Sequence, residues 1–233
     1  MDSEEFYDKY VAQQTAVGVN DRHRAILRWL QRFGMGPGDA VLEIGCGIGT
    51  VSGLIAPALG SDGSLVAIDL STKNIATARS RLAGLKNAEF KAGDVLTIDL
   101  SGLFDVVVLP DVVEHIPLEH HRLLFSRVAS WLAPGGFALL HYPNPWYLEW
   151  CQANKPELLQ LIDQPIHADT LTANLYANGL YLDYLETYPI WISEGDYQVA
   201  VVRHQATQRS FTHVQPPQSI ARSIKAAVRR WIR

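Results

Sequence analysis

Residues 41–50 read V-L-E-I-G-C-G-I-G-T, an apolar run that leads directly into three alternating glycines. Glycines at 45, 47 and 49 indicate a tight turn from a strand into a helix, where the backbone can approach a ligand and direct its N–H groups at it. Close packing of the strand against the helix would also require small residues here. The segment therefore predicts either a ligand-binding loop or a tight strand–helix junction.

Glu43 indicates which kind of ligand such a loop would bind. Dinucleotide-binding loops have the spacing G-x-G-x-x-G, whereas this loop has G-x-G-x-G with a carboxylate just before it. A carboxylate at that point would repel a pyrophosphate. The sequence therefore favours a cationic ligand over the alternative, a nicotinamide dinucleotide.

Short apolar runs alternate with amphipathic stretches on both sides of the loop. The apolar runs predict strands, at 40–44, 64–70, 88–93, 104–109 and 137–142. The stretches predict helices, at 51–59, 71–82 and 119–132, after two N-terminal helices at 4–15 and 21–33. Continuous apolar strands that alternate with helices are typical of a parallel sheet covered on both faces.

The pattern changes after Pro145. Residues 146–178 are predicted to be helical with an interruption near 163–165, and two strands follow at 180–188 and 196–203. A short turn around Glu194 and Gly195 joins these strands. A connection so short permits an antiparallel hairpin but not a helical crossover, so we expect an antiparallel end to an α/β sheet.

These patterns divide the chain into three parts. We predict an N-terminal helical cap at 1–36, a main domain at 37–205 and a linker with a basic amphipathic helix at 206–233. Within the main domain, residues 145–180 form a helical insertion that shapes the substrate pocket.

The composition is that of a soluble globular enzyme, with 48% hydrophobic and 19% charged residues among 233. No apolar run approaches the roughly 18 residues of a membrane span, and the first residues lack the pattern of a secretion signal. Cys46 and Cys151 are the only cysteines and have no metal-like spacing. A reducing cytoplasm is the expected location.

The charge is unevenly placed along the chain. The last fifteen residues, 219–233, hold five basic side chains and no acid; subtracting these five charges from the net −4 leaves −9 for the first 218 residues. General nucleic-acid binding by the main domain is therefore not expected. The tail has a basic stripe beside an apolar stripe that ends in Trp231, which predicts peripheral contact with an anionic membrane surface. Docking on the acidic main domain or in a dimer contact is the alternative.

Two further carboxylates follow predicted strands. Asp69 ends the second strand, where an acid can accept both hydroxyls of a ribose, or else cap the helix that begins near Ser71. Asp94 follows the third strand, where it could meet an adenine amino group or serve as a turn residue.

In combination, these motifs resemble the class I S-adenosylmethionine-dependent methyltransferases. The resemblance covers about residues 38–142, through E-I-G-C-G-I-G, V-A-I-D-L-S, A-G-D-V, F-D-V-V-V-L and L-A-P-G-G-F. It implies a Rossmann-like, doubly wound, seven-stranded sheet that binds S-adenosylmethionine. The glycine loop would surround the methionine and ribose parts, Asp69 would hold the ribose, and Asp94 would contact the adenine. The cofactor-binding residues implied are Glu43, Gly45, Cys46, Gly47, Gly49, Asp69, Leu70, Asp94, Val95 and Pro110.

The stretch D-V-V-E-H at 111–115 ends the fourth strand, where open α/β sheets place ligands. If Pro110 opens a helical turn, Asp111, Glu114 and His115 lie on one face. The same spacing is that of a capping box, which would leave His115 as a core residue.

Ubiquinone-pathway O-methyltransferases and small-RNA 2′-O-methyltransferases bind a divalent metal through an E-x-x-E-H motif at this strand end. Similarity to them implies a site for Mg²⁺, Mn²⁺ or Zn²⁺ with the ligands Asp111, Glu114, His115 and His167, Asp169 being the next candidate after His167. Without a metal, His115 could act as general base. We also predict catalytic roles for Glu114 and for His141, which ends the fifth strand and would either face the pocket or pack beneath Trp146.

The resemblance implies methyl transfer, and a metal or a base at this point suits a hydroxyl acceptor. We expect O-methylation of a small molecule, a lipid-linked compound or a glycan. The alternatives are metal-independent N- or C-methylation of a small molecule and a non-catalytic cofactor-binding protein. The sequence specifies neither the acceptor nor the oligomeric state.

Overall fold

The computed structural model describes residues 16–205. The predicted helix at 4–15 and the basic tail at 206–233 lie outside the described residues, so the predictions made for them stay predictions.

The described chain forms one seven-stranded sheet in the order β3-β2-β1-β4-β5-β7-β6. Its strands are β1 Ala40–Ile44, β2 Ser64–Asp69, β3 Ala88–Ala92, β4 Phe104–Pro110, β5 Leu132–Pro143, β6 Leu180–Tyr188 and β7 Tyr197–His204. The first five strands pair in parallel, and β7 is antiparallel to both β5 and β6. The predicted fold class is confirmed: a doubly wound, mostly parallel sheet with an antiparallel C-terminal hairpin.

Six helices and three single 3₁₀ turns accompany the described sheet. The helices are α1 Asp21–Arg32, α2 Ser52–Ala58, α3 Thr72–Arg81, α4 His121–Trp131, α5 Pro145–Asn154 and α6 Ala168–Tyr176, and the turns are Val113–His115, Leu118–His120 and Pro156–Leu158. Ser71 caps α3, because its side chain accepts a hydrogen bond from the backbone N–H of Asn74. Across residues 16–205, no helix has the length and apolar character needed to span a bilayer.

The sheet separates two hydrophobic cores. On one face, Val107 and Leu109 of β4 pack with Phe125 of α4 and with side chains of α6. On the other face, Val106 and Val108 pack with side chains of α1, α2 and α3. Because successive strand residues point to opposite faces, a strand buried on both sides must be apolar throughout, which explains the continuous apolar runs.

The region after Pro145 differs from the prediction in two ways. The interruption of the helical region is longer than expected: apart from one 3₁₀ turn, residues 155–167 have no helical structure. We call this segment the strap. It begins at Lys155, which precedes a proline and has φ −144° and ψ 52°, because a residue before proline is disfavoured in the helical region. The connection from β6 to β7 spans 189–196, one residue more than the predicted strands leave between them, because β7 begins at Tyr197.

Candidate active site

A cavity of about 500 Å³ opens at the carboxyl ends of β1, β2 and β4. Nine of the ten predicted cofactor-binding residues line it: Glu43, Gly45, Cys46, Gly47, Asp69, Leu70, Asp94, Val95 and Pro110. The same cavity is lined by Arg22 and His23 of α1, by Asp111 and His115, and by Gln160 and Ile162 of the strap. One space therefore joins the glycine loop to a group of basic and acidic side chains.

The glycine loop needs glycine for conformation and for space. Gly45 and Gly47 have φ values of 78° and 54°, in the left-handed region that glycine adopts without steric cost. A Cβ atom on Gly45 would overlap Cγ2 of Val112. The backbone N–H groups of Gly45 and Cys46 donate to the carbonyl of Ile68, at 2.8 and 2.9 Å, which ties the loop to β2.

Gly49 has a different role from the predicted one. It does not line the cavity, and a Cβ atom there would lie 2.7 Å from Leu82 Cδ1 and 3.2 Å from Ala78 Cβ. Its φ of 79° also favours glycine. Gly49 is therefore required for the close packing of the loop against α3, which is the alternative that the sequence had left open for these glycines.

Glu43 is fully buried at the end of β1 and lines the cavity. Its Oε2 accepts a 2.5 Å hydrogen bond from Ser52 Oγ, whereas Oε1 has no partner among the described residues. Burial raises the pKa of this carboxyl to about 7, and the nearby charge of Asp69 acts in the same direction. A buried carboxylate oxygen without a donor is costly unless a ligand supplies one, so the site fits a cationic group.

Asp69 joins β2 to the glycine loop and to α3. Its carboxylate accepts hydrogen bonds from the backbone N–H groups of Gly47 (2.7 Å) and Ser71 (2.9 Å) and from Asn74 Nδ2 (3.0 Å). Asp94 Oδ1 accepts from the N–H of Leu96 at 2.8 Å, which is the alternative turn role. Both side chains also line the cavity, so these contacts place two carboxylates along its wall.

The chain at 110–115 does not form the predicted helical turn. Pro110 completes β4, and Asp111 has φ 56°, the only positive φ of a non-glycine residue among those described. The 3₁₀ turn begins two residues later, at Val113. Because Asp111 is left-handed and the helical turn starts only at Val113, residues 111–115 lack the continuous helical spacing that was assumed from the sequence, and the prediction of a helical turn is wrong here.

Asp111 belongs instead to a buried polar chain. Its Oδ2 lies 2.9 Å from Arg22 Nη1, and Oδ1 accepts from His141 Nδ1 at 2.7 Å. Burial would raise the pKa of Asp111, but the charge of Arg22 and the contact with His141 outweigh it and lower the pKa to about 2. Asp111 is therefore an ionised carboxylate at the cavity wall.

His141 is fully buried and lies behind Asp111 rather than in the cavity. Its Nε2 is 2.7 Å from the Tyr188 hydroxyl, and its ring stacks on Tyr197 at a centroid distance of 4.7 Å. The expectation that His141 faces the pocket as a catalytic residue, or packs beneath Trp146, is corrected. Its contacts make it a support for Asp111.

Glu114 and His115 occupy different environments despite being adjacent. Glu114 is buried and does not line the cavity, and burial raises its pKa to about 8, so it is not the predicted catalytic contact. His115 lines the cavity, and its Nδ1 is 2.6 Å from the Ile162 carbonyl oxygen and 3.2 Å from Asp163 Oδ1. A carbonyl oxygen only accepts, so Nδ1 carries a proton, and Nε2, which lies 3.8 Å from Glu114 Oε1, is the nitrogen that can exchange one.

The pKa of His115 is raised to about 9. Burial alone would lower it, but the carboxyls of Glu114 and Asp163 outweigh burial. Glu114 is the larger of these two influences, and Asp163 adds a hydrogen bond as well as its charge.

The residues predicted to bind a metal do not form one ligand set. Within the part of the chain that the structure describes, no group of three or more His, Cys, Asp or Glu side chains could hold a metal ion. Asp111 is directed to Arg22 and His141, and His167 Nε2 is 2.8 Å from Glu149 Oε1. Trp146 packs edge-on against His167. These residues, as arranged, do not fit Mg²⁺, Mn²⁺ or Zn²⁺.

Several lining residues escaped the sequence reasoning. Arg22 and His23 belong to the first turn of α1, and Gln160 and Ile162 to the strap. Nothing in the local pattern marks them as site residues, because they reach the cavity through contacts between distant segments. The start of α1 was predicted, however, and a basic residue in its first turn is unusual enough to have been a signal, since acids are favoured there.

Residues 41–136 match the family model described as a methyltransferase domain. Among curated relatives, phosphoethanolamine N-methyltransferase 3 of Arabidopsis thaliana is 38% identical over 106 residues, covering 45% of this chain and 21% of that protein. Magnesium-protoporphyrin O-methyltransferase of Synechocystis is 31% identical over 126 residues, covering 52% of each. The chain thus spans well under two thirds of the length of these relatives.

Solved structures share the fold over most of the chain. The N-methyltransferase NodS of Bradyrhizobium japonicum in complex with S-adenosyl-L-homocysteine has a TM-score of 0.66 at 20% identity and covers 86% of this chain and all of that one. Magnesium protoporphyrin IX methyltransferase of Synechocystis with bound S-adenosylmethionine has a TM-score of 0.60, also at 20% identity, and covers 83% of each chain. At this identity the likeness concerns the fold. Residues 41–136 are therefore similar to methyltransferase domains, and the chain shares its fold with structures that bind S-adenosylmethionine or S-adenosylhomocysteine.

Proposed function

We propose that the protein transfers a methyl group from S-adenosylmethionine to a hydroxyl of an acceptor, with His115 as the group that takes the hydroxyl proton. The observation that carries the proposal is the shared cavity: the glycine loop with Glu43 and Asp69 lines it, and so does His115, which with Arg22, Gln160 and Ile162 forms what we call its acceptor end. Both halves of a transfer reaction can therefore meet in one space.

The residues present fit S-adenosylmethionine. The unpartnered Oε1 of Glu43 suits the ammonium of the methionine part, and the glycine loop leaves room that a Cβ atom on Gly45 would fill. Asp69 and Asp94 line the wall where ribose and adenine are expected. When bound, S-adenosylmethionine supplies a methyl group on a sulfonium sulfur and leaves as S-adenosylhomocysteine.

His115 would serve as general base at Nε2. Its Nδ1 proton is held by the Ile162 carbonyl, so the ring orientation is fixed before an acceptor arrives. As the acceptor oxygen bonds to the methyl carbon, its proton passes to Nε2, and the electron pair of the breaking C–S bond stays on sulfur. The ring must first lose to solvent the proton that it carries at neutral pH. Because the pKa of His115 is raised, Nε2 then binds the proton of the acceptor hydroxyl tightly.

An amine acceptor is the second candidate, and the 38% identity to a phosphoethanolamine N-methyltransferase favours it. Arg22 and His115 at the acceptor end could face the phosphate of such a compound. Amines are nucleophilic without a base when neutral, so this reaction would depend less on His115 than O-methylation does.

Lipid-linked and glycan acceptors remain proposals that rest on the sequence. The basic amphipathic tail supports a lipid-linked acceptor, because it would bring the protein to an anionic bilayer where such a compound resides. A protein that binds the cofactor without transferring a methyl group is the alternative from another class.

Two measurements test the proposal. Calorimetry should show binding of S-adenosylhomocysteine, and labelled S-adenosylmethionine incubated with cell lysate should label a small-molecule, lipid or polysaccharide fraction. His115→Ala should abolish most labelling while leaving cofactor binding intact, and Glu89→Gln, exposed on β3 and outside the cavity, should leave both unchanged. Binding without labelling of any fraction would support the non-catalytic alternative. Labelling that survives His115→Ala would favour an amine acceptor.

A further inference from the structure

The strap, residues 155–167, lies against the segment that carries His115. The Gln164 backbone N–H donates to the Glu114 carbonyl at 3.0 Å, and Gln164 Nε2 donates to the Ile116 carbonyl at 3.0 Å. In return, the Leu118 N–H donates to Gln164 Oε1 at 3.3 Å. Together with the contact between His115 and Ile162, these bonds join the strap to residues 114, 115, 116 and 118.

Asp163 places a carboxylate beside the imidazole of His115. Its Oδ1 lies 3.2 Å from Nδ1, and its side chain is 10% exposed. Among the residues that the structure describes, His115 is the only basic side chain paired with Asp163. The other oxygen, Oδ2, accepts from the Gln160 N–H at 2.5 Å, which fixes the orientation of the carboxylate.

We propose that Asp163 is a positioning residue, supplied by the strap, that orients His115 for proton transfer and stabilises the imidazolium formed in the reaction. The inference rests on the proposed function, because it requires that His115 take a proton. A buried carboxylate next to Nδ1–H keeps the Nδ1-protonated tautomer, leaves Nε2 for the acceptor and balances the charge that develops on the ring.

The same geometry couples closure of the strap to catalysis. Gln160 and Ile162 line the cavity, so they are adjacent to any acceptor that occupies it. Displacement of the strap would remove these walls and would also separate Asp163 from His115. The proton acceptor is therefore complete only when the strap lies over the cavity.

A purely structural role for Asp163 makes a different prediction. Because Oδ2 accepts from the Gln160 N–H, Asp163 could serve only to shape the strap. Asp163→Asn distinguishes the two roles: the amide oxygen can still accept that bond, whereas the charge beside Nδ1 is lost. Asp169→Asn is the matched control, since Asp169 is exposed at the start of α6 and bonds only to neighbouring residues.

The experiment uses the full chain and labelled S-adenosylmethionine with the lysate fraction that accepts the methyl group. Measured above pH 9, where His115 is neutral with or without the Asp163 charge, Asp163→Asn should lower the maximal rate about 10²-fold, the usual size of a general-base contribution. The half-saturating amount of that fraction and the affinity for S-adenosylhomocysteine should be unchanged. Asp169→Asn should behave as wild type. If Asp163→Asn transfers at the control rate while His115→Ala is impaired, the inference is overturned and the proposed function stands.

If His115→Ala also transfers at the control rate, His115 is not the general base and the proposed function is overturned. Imidazole ¹⁵N spectra of the wild type with S-adenosylhomocysteine give a check that needs no folded variant. They should show the neutral ring of His115 protonated at Nδ1. A neutral ring protonated at Nε2 would contradict the positioning role of Asp163.

Discussion

Replacing Glu43 by Gln should stabilise the free protein at alkaline pH while weakening cofactor binding. Folding raises the pKa of this carboxyl from 4.5 to about 7, mainly through burial. A carboxyl with a raised pKa contributes stability that is complete below its unfolded pKa and is lost as the pH rises through its folded pKa. Between pH 5 and pH 8, ionisation of Glu43 should therefore lower the free energy of unfolding by roughly 2–3 kcal/mol.

Glu43→Gln removes this ionisation. The Ser52 hydroxyl can still donate to the amide oxygen, so the variant should show a flatter dependence of stability on pH. The same change removes the carboxylate that we expect to meet the ammonium of S-adenosylhomocysteine. Losing a hydrogen bond to a charged group costs about 1.5–3 kcal/mol, which corresponds to roughly 10- to 150-fold weaker binding.

Urea unfolding at pH 5 and pH 8 measures the first effect, and calorimetry with S-adenosylhomocysteine measures the second. Glu89→Gln, on the exposed side of β3, is the control and should change neither quantity. The reasoning is refuted if Glu43→Gln keeps the wild-type dependence of stability on pH, or if it binds S-adenosylhomocysteine as tightly as the wild type does.

Four further outcomes are expected. Gly45→Ala should lose about 1–3 kcal/mol of stability and weaken S-adenosylhomocysteine binding, because of its positive φ and the overlap with Val112; Gly84→Ala, in open space, is the control for both measurements. His141→Leu should lower the free energy of urea unfolding by about 2–4 kcal/mol, since it removes a buried partner of Asp111; an unchanged value would contradict this role. The methyl-transfer rate should rise with pH through about 9, where His115 becomes neutral, and a flat profile would argue against the base. Deleting residues 215–233 should abolish sedimentation with anionic liposomes; unchanged sedimentation would contradict a membrane-binding tail.

Six of the seven strands could be predicted to within one residue at each end because their signal is local, whereas β5 begins at Leu132, five residues before its predicted start. A strand such as β4, buried on both faces, must be apolar throughout, and β1 was predicted with the bounds that the structure shows. The cofactor end of the cavity was predictable for a similar reason. Its residues follow directly after strand ends, and the carboxyl ends of parallel strands meet at one edge of the sheet.

The acceptor end could not be predicted in the same way. The argument for Asp111, Glu114 and His115 assumed helical spacing, and it failed because Asp111 adopts a left-handed conformation that a spacing argument does not anticipate. The true partners lie far along the chain: Asp111 bonds His141 across 30 residues, and His115 bonds Ile162 across 47. Which distant residue returns to a strand end depends on the packing of helices and strap, and not on any local pattern.

The two cores on either side of β4 have a consequence for the exchange of amide hydrogens with solvent. Val106 and Val108 belong to one core, and Val107 and Leu109 to the other, so the hydrogen bonds of β4 open only if both cores come apart. Exchange there should require global unfolding, whereas amides of the strap can exchange through local opening. The candidate active site therefore lies between β4, whose amides should exchange most slowly, and the strap, whose amides should exchange much faster.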